Sequence, residues 1–382
     1  MLTQPARRRR ATLDAVAQGA RSRAEIARLL GISPSTATIW VNDLLTSGDL
    51  EEAGEGASRG GRRPTRLRLP TQPGHVVVAD LGTRSVRLAV SDLSGRLLAQ
   101  RTAGLSIADG PDACIPKVVQ LLQDESSRLQ DAGPARAIGV SLPGPVDPGS
   151  GTVNLPSRMP GWSGVAVRDW LSELAGLPAS VDNDANLMAL AEHRHLFGST
   201  GNSITVKAST AIGSGIIIAG RLYRGGNNAA GDFTHTSISE AGDRPCSCGK
   251  VGCLETVASG QGIVRLLTEA GVPGVETIGD ALDLARNADP LATTLIRSAG
   301  GYLGDVLSNA VGFLNPDAVV VSGGLASSEH FLTAVKSRIY AVCHPLVTQH
   351  LRIEGSALGE SSGLIGAALL AIDEAGLAVG QR

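Results

Sequence analysis

The chain has 382 residues, of which 42% are hydrophobic and 18% are charged, enough core material for two or three folded domains. No apolar run reaches the ~18 residues that would span a bilayer. The N-terminus opens with four arginines instead of a secretory signal peptide, so the sequence favours a cytoplasmic protein without a membrane partner.

The net charge of −2 conceals an asymmetry along the chain. Residues 1–70 hold 12 arginines, no lysine and 7 acidic residues, a balance of +5, whereas the remainder holds 22 basic and 29 acidic residues, a balance of −7. A small basic module joined to a larger acidic body indicates nucleic-acid binding for the first part only. A solvated basic tail would give the same balance, so the local pattern must decide.

Residues 10–70 predict a winged helix-turn-helix. Helices are expected over 10–18, 23–30 and 34–47, with Ser22 and Ser33 as N-caps, Glu25 in a capping box and Gly31 at the tight turn. The apolar residues of the second and third helices are expected to form the core, and these are Ile26, Leu29, Leu30, Ile39, Val41, Leu44 and Leu45.

The third helix of this module carries short polar residues that suit a DNA major groove, namely Ser35, Thr36, Thr38 and Asn42. The following Gly/Arg-rich stretch ends in an alternating strand, Thr65–Leu69, and so predicts a wing whose tip presents Arg59, Arg62 and Arg63 to the DNA backbone. A flexible Gly/Arg linker is the alternative. Helix spacing, turn chemistry and charge together favour a double-stranded DNA operator as partner.

Three of the five cysteines, Cys246, Cys248 and Cys253, fall within eight residues, with Gly249 and Gly252 between them. This spacing favours a metal site over a disulfide, because glycine permits the sharp turns that bring three sulfurs to one ion. A coincidental cluster is the alternative. The isolated Cys114 and Cys343 are expected to be core residues.

The remaining motifs begin with a buried strand at 75–80 and a glycine turn, followed by strands at 86–90 and 97–100. Five blocks follow, and they are GVSLPGPVD (139–147), PGW (160–162), VDNDAN (181–186), CSCGKVGCLE (246–255) and VVSGGL (320–325). Together they resemble the ROK family of repressors and sugar kinases over residues 76–375. The resemblance implies an α/β, actin/hexokinase-like body of two lobes, a sugar in the cleft between them, and a homodimer or homotetramer.

The resemblance also implies roles for individual residues. His235 would complete a closed Cys₃His structural zinc site with Cys246, Cys248 and Cys253. Asn183, Asp184, Asp232, His235 and Glu255 would bind the sugar, and Asp184 occupies the position of the base in kinase relatives. Asp232 and Thr234 depart from the family's Gly-Glu-x-Gly-His pattern, which leaves the sugar open. Helix capping by Asn183, a surface helix start at Glu255, and packing of Trp162 are the structural alternatives.

The phosphate-binding loops depart from the kinase pattern. Arg84 stands where ROK kinases carry threonine, and Ser209-Thr210-Ala211 stands where they carry Gly-Thr-Gly. Added Cβ atoms at such turns obstruct close approach of a phosphate, so no catalytic residue and no enzyme activity are expected. The Gly323-Gly324 pair is retained.

The combined prediction is a repressor whose affinity for a palindromic operator changes when a hexose-type sugar binds the cleft. The domains are expected at 1–72 (DNA-binding) and 73–382 (ROK). Lobe one would comprise 76–188 plus a C-terminal helix at 359–375 with Leu364, Ala368 and Ile372 buried, and lobe two 189–358. The alternatives are a bifunctional ATP-dependent sugar kinase with a DNA-binding head, and a regulator that answers to a protein partner.

Overall fold

The computed structural model of the protein describes residues 8, 11–13, 15–16, 19–46, 50–55, 65–68, 74–129 and 132–377. Within these ranges no helix is both long enough and apolar enough to cross a membrane. The chain forms a small N-terminal head and a larger α/β body.

Among the residues that the structure describes, the head has two complete helices in the predicted places, α1 (Arg23–Leu30) and α2 (Pro34–Thr46). Residues 11–13 and 15–16 are also helical, and the rest of the helix predicted over 10–18 lies outside the described residues. Ser22 caps α1, its hydroxyl accepting a hydrogen bond from the Glu25 amide at 3.3 Å. Gly31 ends α1 in the left-handed conformation, with φ of 63°, which glycine adopts without a Cβ penalty. The prediction of two capped helices joined by a tight glycine turn is confirmed.

Three details of the head differ from the prediction. Glu25 accepts a hydrogen bond from the Arg21 amide at 2.6 Å, so it does not complete a capping box with Ser22. Leu29 and Ile39 are 54% and 61% exposed instead of buried. The inward face of α2 is Ala37, Val41 and Leu44, spaced by four and three residues, which leaves Ile39 on the outward face.

An antiparallel hairpin follows, formed by β1 (Glu51–Glu55) and β2 (Thr65–Arg68). Leu67 is fully buried and belongs to the head's core with Leu13, Val16 and Ile26. The return strand was therefore predicted correctly. The predicted wing tip with Arg59, Arg62 and Arg63 lies outside the described residues.

The first sheet of the body has five strands, β3 (His75–Leu81), β4 (Ser85–Asp92), β5 (Leu97–Gly104), β6 (Ala135–Leu142) and β9 (Ala179–Asn183). Their order in the sheet is β5-β4-β3-β6-β9, and β3 is antiparallel to β4 and parallel to β6. A small separate hairpin, formed by β7 (Val146–Asp147) and β8 (Thr152–Val153), follows β6 in the chain. The central strand β3 is buried throughout, as its apolar run predicts.

The second sheet also has five strands, β10 (Ser203–Ala208), β11 (Ile212–Ile218), β12 (Arg221–Tyr223), β13 (Ala318–Ser322) and β14 (Arg352–Gly355). Their order in the sheet is β12-β11-β10-β13-β14. Each sheet is therefore a mixed sheet covered by helices, which agrees with the predicted α/β class.

Ten helices of the body are described. They are α3 (Pro111–Arg128), α4 (Val167–Ala175), α5 (Asp184–Phe197), α6 (Glu255–Ala258), α7 (Gly260–Glu269), α8 (Ile278–Arg286), α9 (Pro290–Leu314), α10 (Glu329–Val342), α11 (Pro345–Thr348) and α12 (Ser362–Glu374). The first sheet packs against α3 on one face and against α12 on the other. The second sheet forms one hydrophobic core with helices α7, α8, α9 and α10.

The terminal helix α12 returns to the first sheet, as predicted, and packs on α5 as well. Leu364, Ala368 and Ile372 are buried there. Gly366 lies against the Leu187 carbonyl so closely that a Cβ atom would stand 1.9 Å from that oxygen. This close crossing of α5 and α12 fixes the position of α5, which begins at the edge of the cleft.

Candidate functional site

A cleft of about 1100 Å³ lies at the ends of the strands of both sheets. All five residues predicted to bind sugar line it, and these are Asn183, Asp184, Asp232, His235 and Glu255. The structure thus brings together side chains that are up to 72 positions apart in the chain. Planar acceptors and donors of this kind match the hydroxyls of a small polar ligand.

Asn183 ends strand β9 and caps helix α5. Its Oδ1 accepts a hydrogen bond from the Ala185 amide at 3.0 Å, and its Nδ2 donates to the Gly144 carbonyl at 3.1 Å. The capping interpretation is therefore correct, and it coexists with a place in the cleft wall. Asp184 is the first residue of α5, where the helix dipole favours a negative charge.

Asp184 forms an ion pair with Lys207 of strand β10, so the start of helix α5 is linked to the second sheet. Burial opposes the charge of Lys207, but the Asp184 carboxylate more than offsets it and raises the pKa of this lysine above its ordinary value. Sequence reasoning missed Lys207. A single charged residue in the largely buried strand Ser203–Ala208 was the signal that could have found it.

Glu255 begins helix α6 and is buried, so the alternative of a surface helix start is wrong. Its Oε2 accepts a hydrogen bond from the Ile212 amide at 3.0 Å, and its Oε1 accepts one from Arg158 Nη2 at 2.6 Å. Burial raises the pKa of Glu255 to about 7, although the positive charge of Arg158 acts in the opposite direction. Arg158 is a second cleft residue that sequence reasoning missed.

Asp80 lies deeper in the cleft, at the end of strand β3. It accepts a hydrogen bond from Ser141 Oγ at 2.7 Å and forms an ion pair with Arg87 at 2.5 Å. Arg87 also donates to the Glu360 carbonyl at 2.5 Å. Both carboxylate oxygens of Asp80 therefore already have partners within the protein.

The two altered loops flank this end of the cleft. Arg84 is exposed, and Ser209, Thr210 and Ala211 line the cleft. The 209–211 loop is hydrogen-bonded to the start of helix α7, because the Ser209 carbonyl accepts from the Gly260 amide at 2.8 Å.

Trp162 packs in the core of the first sheet and does not line the cleft. It is fully buried, and its indole N–H donates to the Ile107 carbonyl at 3.0 Å. The choice between packing and cleft lining, which the sequence leaves open, is thus decided in favour of packing.

The four residues predicted to bind metal form one cluster. The ligand atoms of His235, Cys246, Cys248 and Cys253 all lie within 4.8 Å of one another. His235 Nδ1 is 3.3 Å from Cys246 Sγ, and the sulfurs of Cys248 and Cys253 are 3.7 Å apart. Two sulfurs bound to one tetrahedral Zn²⁺ at about 2.3 Å would stand roughly 3.8 Å apart, so the residues fit such an ion.

The backbone geometry of the cluster explains why residue 252 is a glycine. Gly252 has a φ of 74°, and a Cβ atom there would lie 2.7 Å from the Gly242 carbonyl oxygen. Burial and the neighbouring thiols raise the pKa of Cys253 to about 12, and a bound cation would favour the thiolate instead. Since Glu255 follows Cys253 by two residues, the cluster also positions the cleft carboxylate.

The candidate DNA-contacting residues lie along the first three turns of helix α2. Ser35, Thr38 and Asn42 are exposed and Thr36 is half-buried. Asn42 Oδ1 accepts a hydrogen bond from Arg23 Nη2 at 3.1 Å, so α1 contributes a cation beside the polar surface. The exposed Ile39 adds an apolar group to the same stretch, of the kind that contacts a thymine methyl.

Comparison with known proteins agrees with this two-part architecture. The ROK family profile matches residues 76–374, and a homeodomain-like profile matches residues 3–52. These matches define a two-lobed ROK body preceded by a helix-turn-helix head. The chain belongs to the ROK family.

Relatives of the whole chain and of the body alone are both found. A putative xylose repressor from Caldicellulosiruptor is 29% identical over 374 residues, covering 92% of each chain. A crystal structure of a ROK family transcriptional regulator, described as a homologue of the Escherichia coli Mlc protein, superposes with a TM-score of 0.77 at 24% identity, covering 99% of this chain and 97% of that one. A ROK hexokinase from Thermus thermophilus superposes with a TM-score of 0.64 at 30% identity, covering 78% of this chain and 98% of that one.

Proposed function

We propose that the chain is a cytoplasmic transcriptional repressor whose operator affinity changes when a sugar binds in the cleft. The observation that carries this proposal is the convergence of Asn183, Asp184 and Glu255 on one cleft in a chain that also has a helix-turn-helix head. The full-length similarity to a putative xylose repressor supports it. Because that relative is named for xylose, which is a pentose, we extend the expected ligands from hexoses to pentoses.

The sugar contacts are proposed from Asn183, Asp184, Asp232, His235 and Glu255. Two of these side chains are carboxylates that already make charged hydrogen bonds, and such groups bind hydroxyls strongly. The DNA contacts are proposed from Ser35, Thr36, Thr38 and Asn42, together with the arginines of the wing. His235, Cys246, Cys248 and Cys253 would hold a structural zinc ion, which would stabilise the loop before Glu255.

We propose that the head comprises residues 1–72 and the ROK body residues 73–382, as the sequence predicts. Lobe one (76–188 and 359–375) contains the first sheet and lobe two (189–358) contains the second, a division supported by the separate cores of the two sheets. Sugar bound between the lobes would favour one inter-lobe angle. In a dimer or tetramer the two heads would then fit, or no longer fit, the half-sites of a palindromic operator.

The cleft favours sugar binding without efficient phosphoryl transfer. The position of the kinase base, Asp184, is ion-paired with Lys207, and Asp80 is bonded to Arg87 and Ser141. Ser209 and Ala211 replace the glycines that would let a phosphate approach the backbone closely. The similarity to a ROK hexokinase keeps a bifunctional kinase as the second candidate.

A paired binding experiment tests the proposal on the full-length protein. Duplexes are selected from a random pool, and the affinity for the selected duplex is measured with and without D-xylose, D-glucose or N-acetyl-D-glucosamine. We expect sequence-specific binding that at least one sugar changes by tenfold or more. Binding of no duplex, or indifference to every sugar in the panel, would contradict the proposal. Transfer of phosphate from ATP to a sugar at a kinase-like rate would favour the second candidate.

A further inference from the structure

One ion pair crosses the cleft at its mouth. Arg158 lies in the loop between β8 and α4, which belongs to the first sheet, whereas Glu255 begins α6 beside the second. Arg158 Nη2 donates to Glu255 Oε1 at 2.6 Å. The side chain of Arg158 is 29% exposed and that of Glu255 only 5%, so the arginine reaches from the rim to a buried carboxylate.

The loop that carries Arg158 is held firmly by its neighbours. Met159 is buried, and Trp162 is fully buried with its indole N–H bonded to the Ile107 carbonyl. Because these anchors belong to the core of the first sheet, the backbone that carries Arg158 is attached to the first lobe. The hydrogen bond from Arg158 to Glu255 therefore links the two lobes.

The pair also occupies the carboxylate that a sugar would need. Glu255 Oε2 accepts from the Ile212 amide and Oε1 accepts from Arg158, so both oxygens have a partner within the protein. The Ile212 amide belongs to the backbone of β11 and cannot leave without disrupting the sheet. Each carboxylate oxygen can accept more than one hydrogen bond. A sugar hydroxyl that approaches Oε1 from the position that Arg158 Nη2 occupies must displace the arginine.

We propose that Arg158 is an internal competitor of the sugar: its guanidinium holds the lobes together through Glu255, and effector binding replaces it. This inference rests on the proposed sugar site and adds a residue to it. Arg158 would then set the sugar concentration at which the protein responds. It would also couple occupancy of the cleft to the inter-lobe angle, because the ligand would break one of the ion pairs that link the lobes.

Titration calorimetry of the full-length protein with D-xylose and with D-glucose tests this inference. Arg158→Gln removes the charge and the bond to Glu255, and we expect it to bind the sugar about fivefold more tightly than the wild type, the range set by a partly exposed ion pair. Arg158→Lys should fall between the two. In a Glu255→Gln background, the effect of Arg158→Gln should disappear, because the partner of the competition is gone.

Arg101→Gln is the matched control. Arg101 is also about 30% exposed and pairs with a buried carboxylate, Glu125, but both residues lie on the first lobe away from the cleft. This variant should leave sugar affinity unchanged. Equal or weaker sugar binding by Arg158→Gln, or tighter binding by Arg101→Gln as well, would overturn the inference while leaving the sugar site intact. If neither the wild type nor Arg158→Gln binds either sugar, the proposed function fails and the inference fails with it.

Discussion

Lys207 and Asp184 form an ion pair that joins strand β10 of the second sheet to the start of helix α5 after the first sheet. The lysine is held in its charged form, since its pKa is raised by the carboxylate despite burial. Asp184 thus acts as the counter-ion of a half-buried lysine in the cleft wall. This role requires a negative charge at position 184.

Replacing Asp184 should separate sugar binding from DNA binding. Asp184→Ala removes a charged acceptor and leaves Lys207 without its partner, so we expect sugar affinity to fall by about tenfold or more. Affinity for the selected duplex without sugar should stay within twofold of wild type, because the head is untouched. Calorimetry and fluorescence anisotropy measure the two. Asp169→Ala, an exposed carboxylate on α4, is the control, and a normal sugar response in Asp184→Ala would refute the site assignment.

The head shows what local pattern can and cannot predict. Helix bounds, the caps at Ser22 and Ser33 and the turn at Gly31 depend on short-range chemistry, and the sequence predicted them. The burial of Leu29 and Ile39 was predicted wrongly, because an apolar residue alone does not reveal which helix face meets a small core. In α2 that face is set by Ala37 and Val41, and Ile39 lies opposite.

The cleft shows the same division at longer range. The family blocks predicted that Asn183, Asp184 and Glu255 would converge, and they do. Their cationic partners were not predicted, because Lys207 and Arg158 sit 23 and 97 residues from the groups they bind. No local motif links such pairs, and only the closure of the two sheets around one cleft places them together.

Substitution on helix α2 should weaken recognition of the operator without affecting the sugar. Asn42 is exposed, its Oδ1 accepts a hydrogen bond from Arg23, and we propose that it contacts a base edge. Asn42→Ala should weaken binding to the selected duplex by about 5- to 150-fold, which corresponds to the roughly 1–3 kcal/mol of one good base contact. Binding to a random duplex, and the salt dependence of that binding, should not change, since no phosphate contact is lost. Equal weakening on both duplexes, measured by anisotropy, would show that Asn42 does not read sequence.

The cysteine cluster should carry zinc in the purified protein. We expect about one zinc per chain by elemental analysis, lost in Cys248→Ala, with a decrease in Tm of more than about 5 °C because metal binding contributes to folding of the loop. Cys343→Ala, a half-buried cysteine outside the cluster, should keep its zinc. Wild-type protein that is folded and sugar-responsive without any metal would contradict the assignment.

The crossing of α5 and α12 should tolerate no side chain at Gly366. Gly366→Ala would place a Cβ atom 1.9 Å from the Leu187 carbonyl oxygen, so the helices must separate, and we expect a loss of about 2–3 kcal/mol in the free energy of unfolding. Gly301, within helix α9, has no atom within 4 Å of its would-be Cβ. Gly301→Ala should therefore increase stability by about 0.5–1 kcal/mol. Urea denaturation compares the two, and equal effects would contradict the close crossing.

Stability should fall in mild acid because of His193 on helix α5. Burial lowers the pKa of His193 below the usual value of about 6.5, and its Nδ1 lies 2.8 Å from Ser203 Oγ. The unfolded chain therefore binds a proton at a pH where the folded chain does not, so the free energy of unfolding decreases as the pH falls below about 6.5, by up to about 1.4 kcal/mol per pH unit. His193→Gln should reduce this slope, whereas His350→Gln, at an exposed histidine, should not. Urea denaturation between pH 5 and 8 measures the slopes, and equal slopes in wild type and His193→Gln would show that another group is responsible.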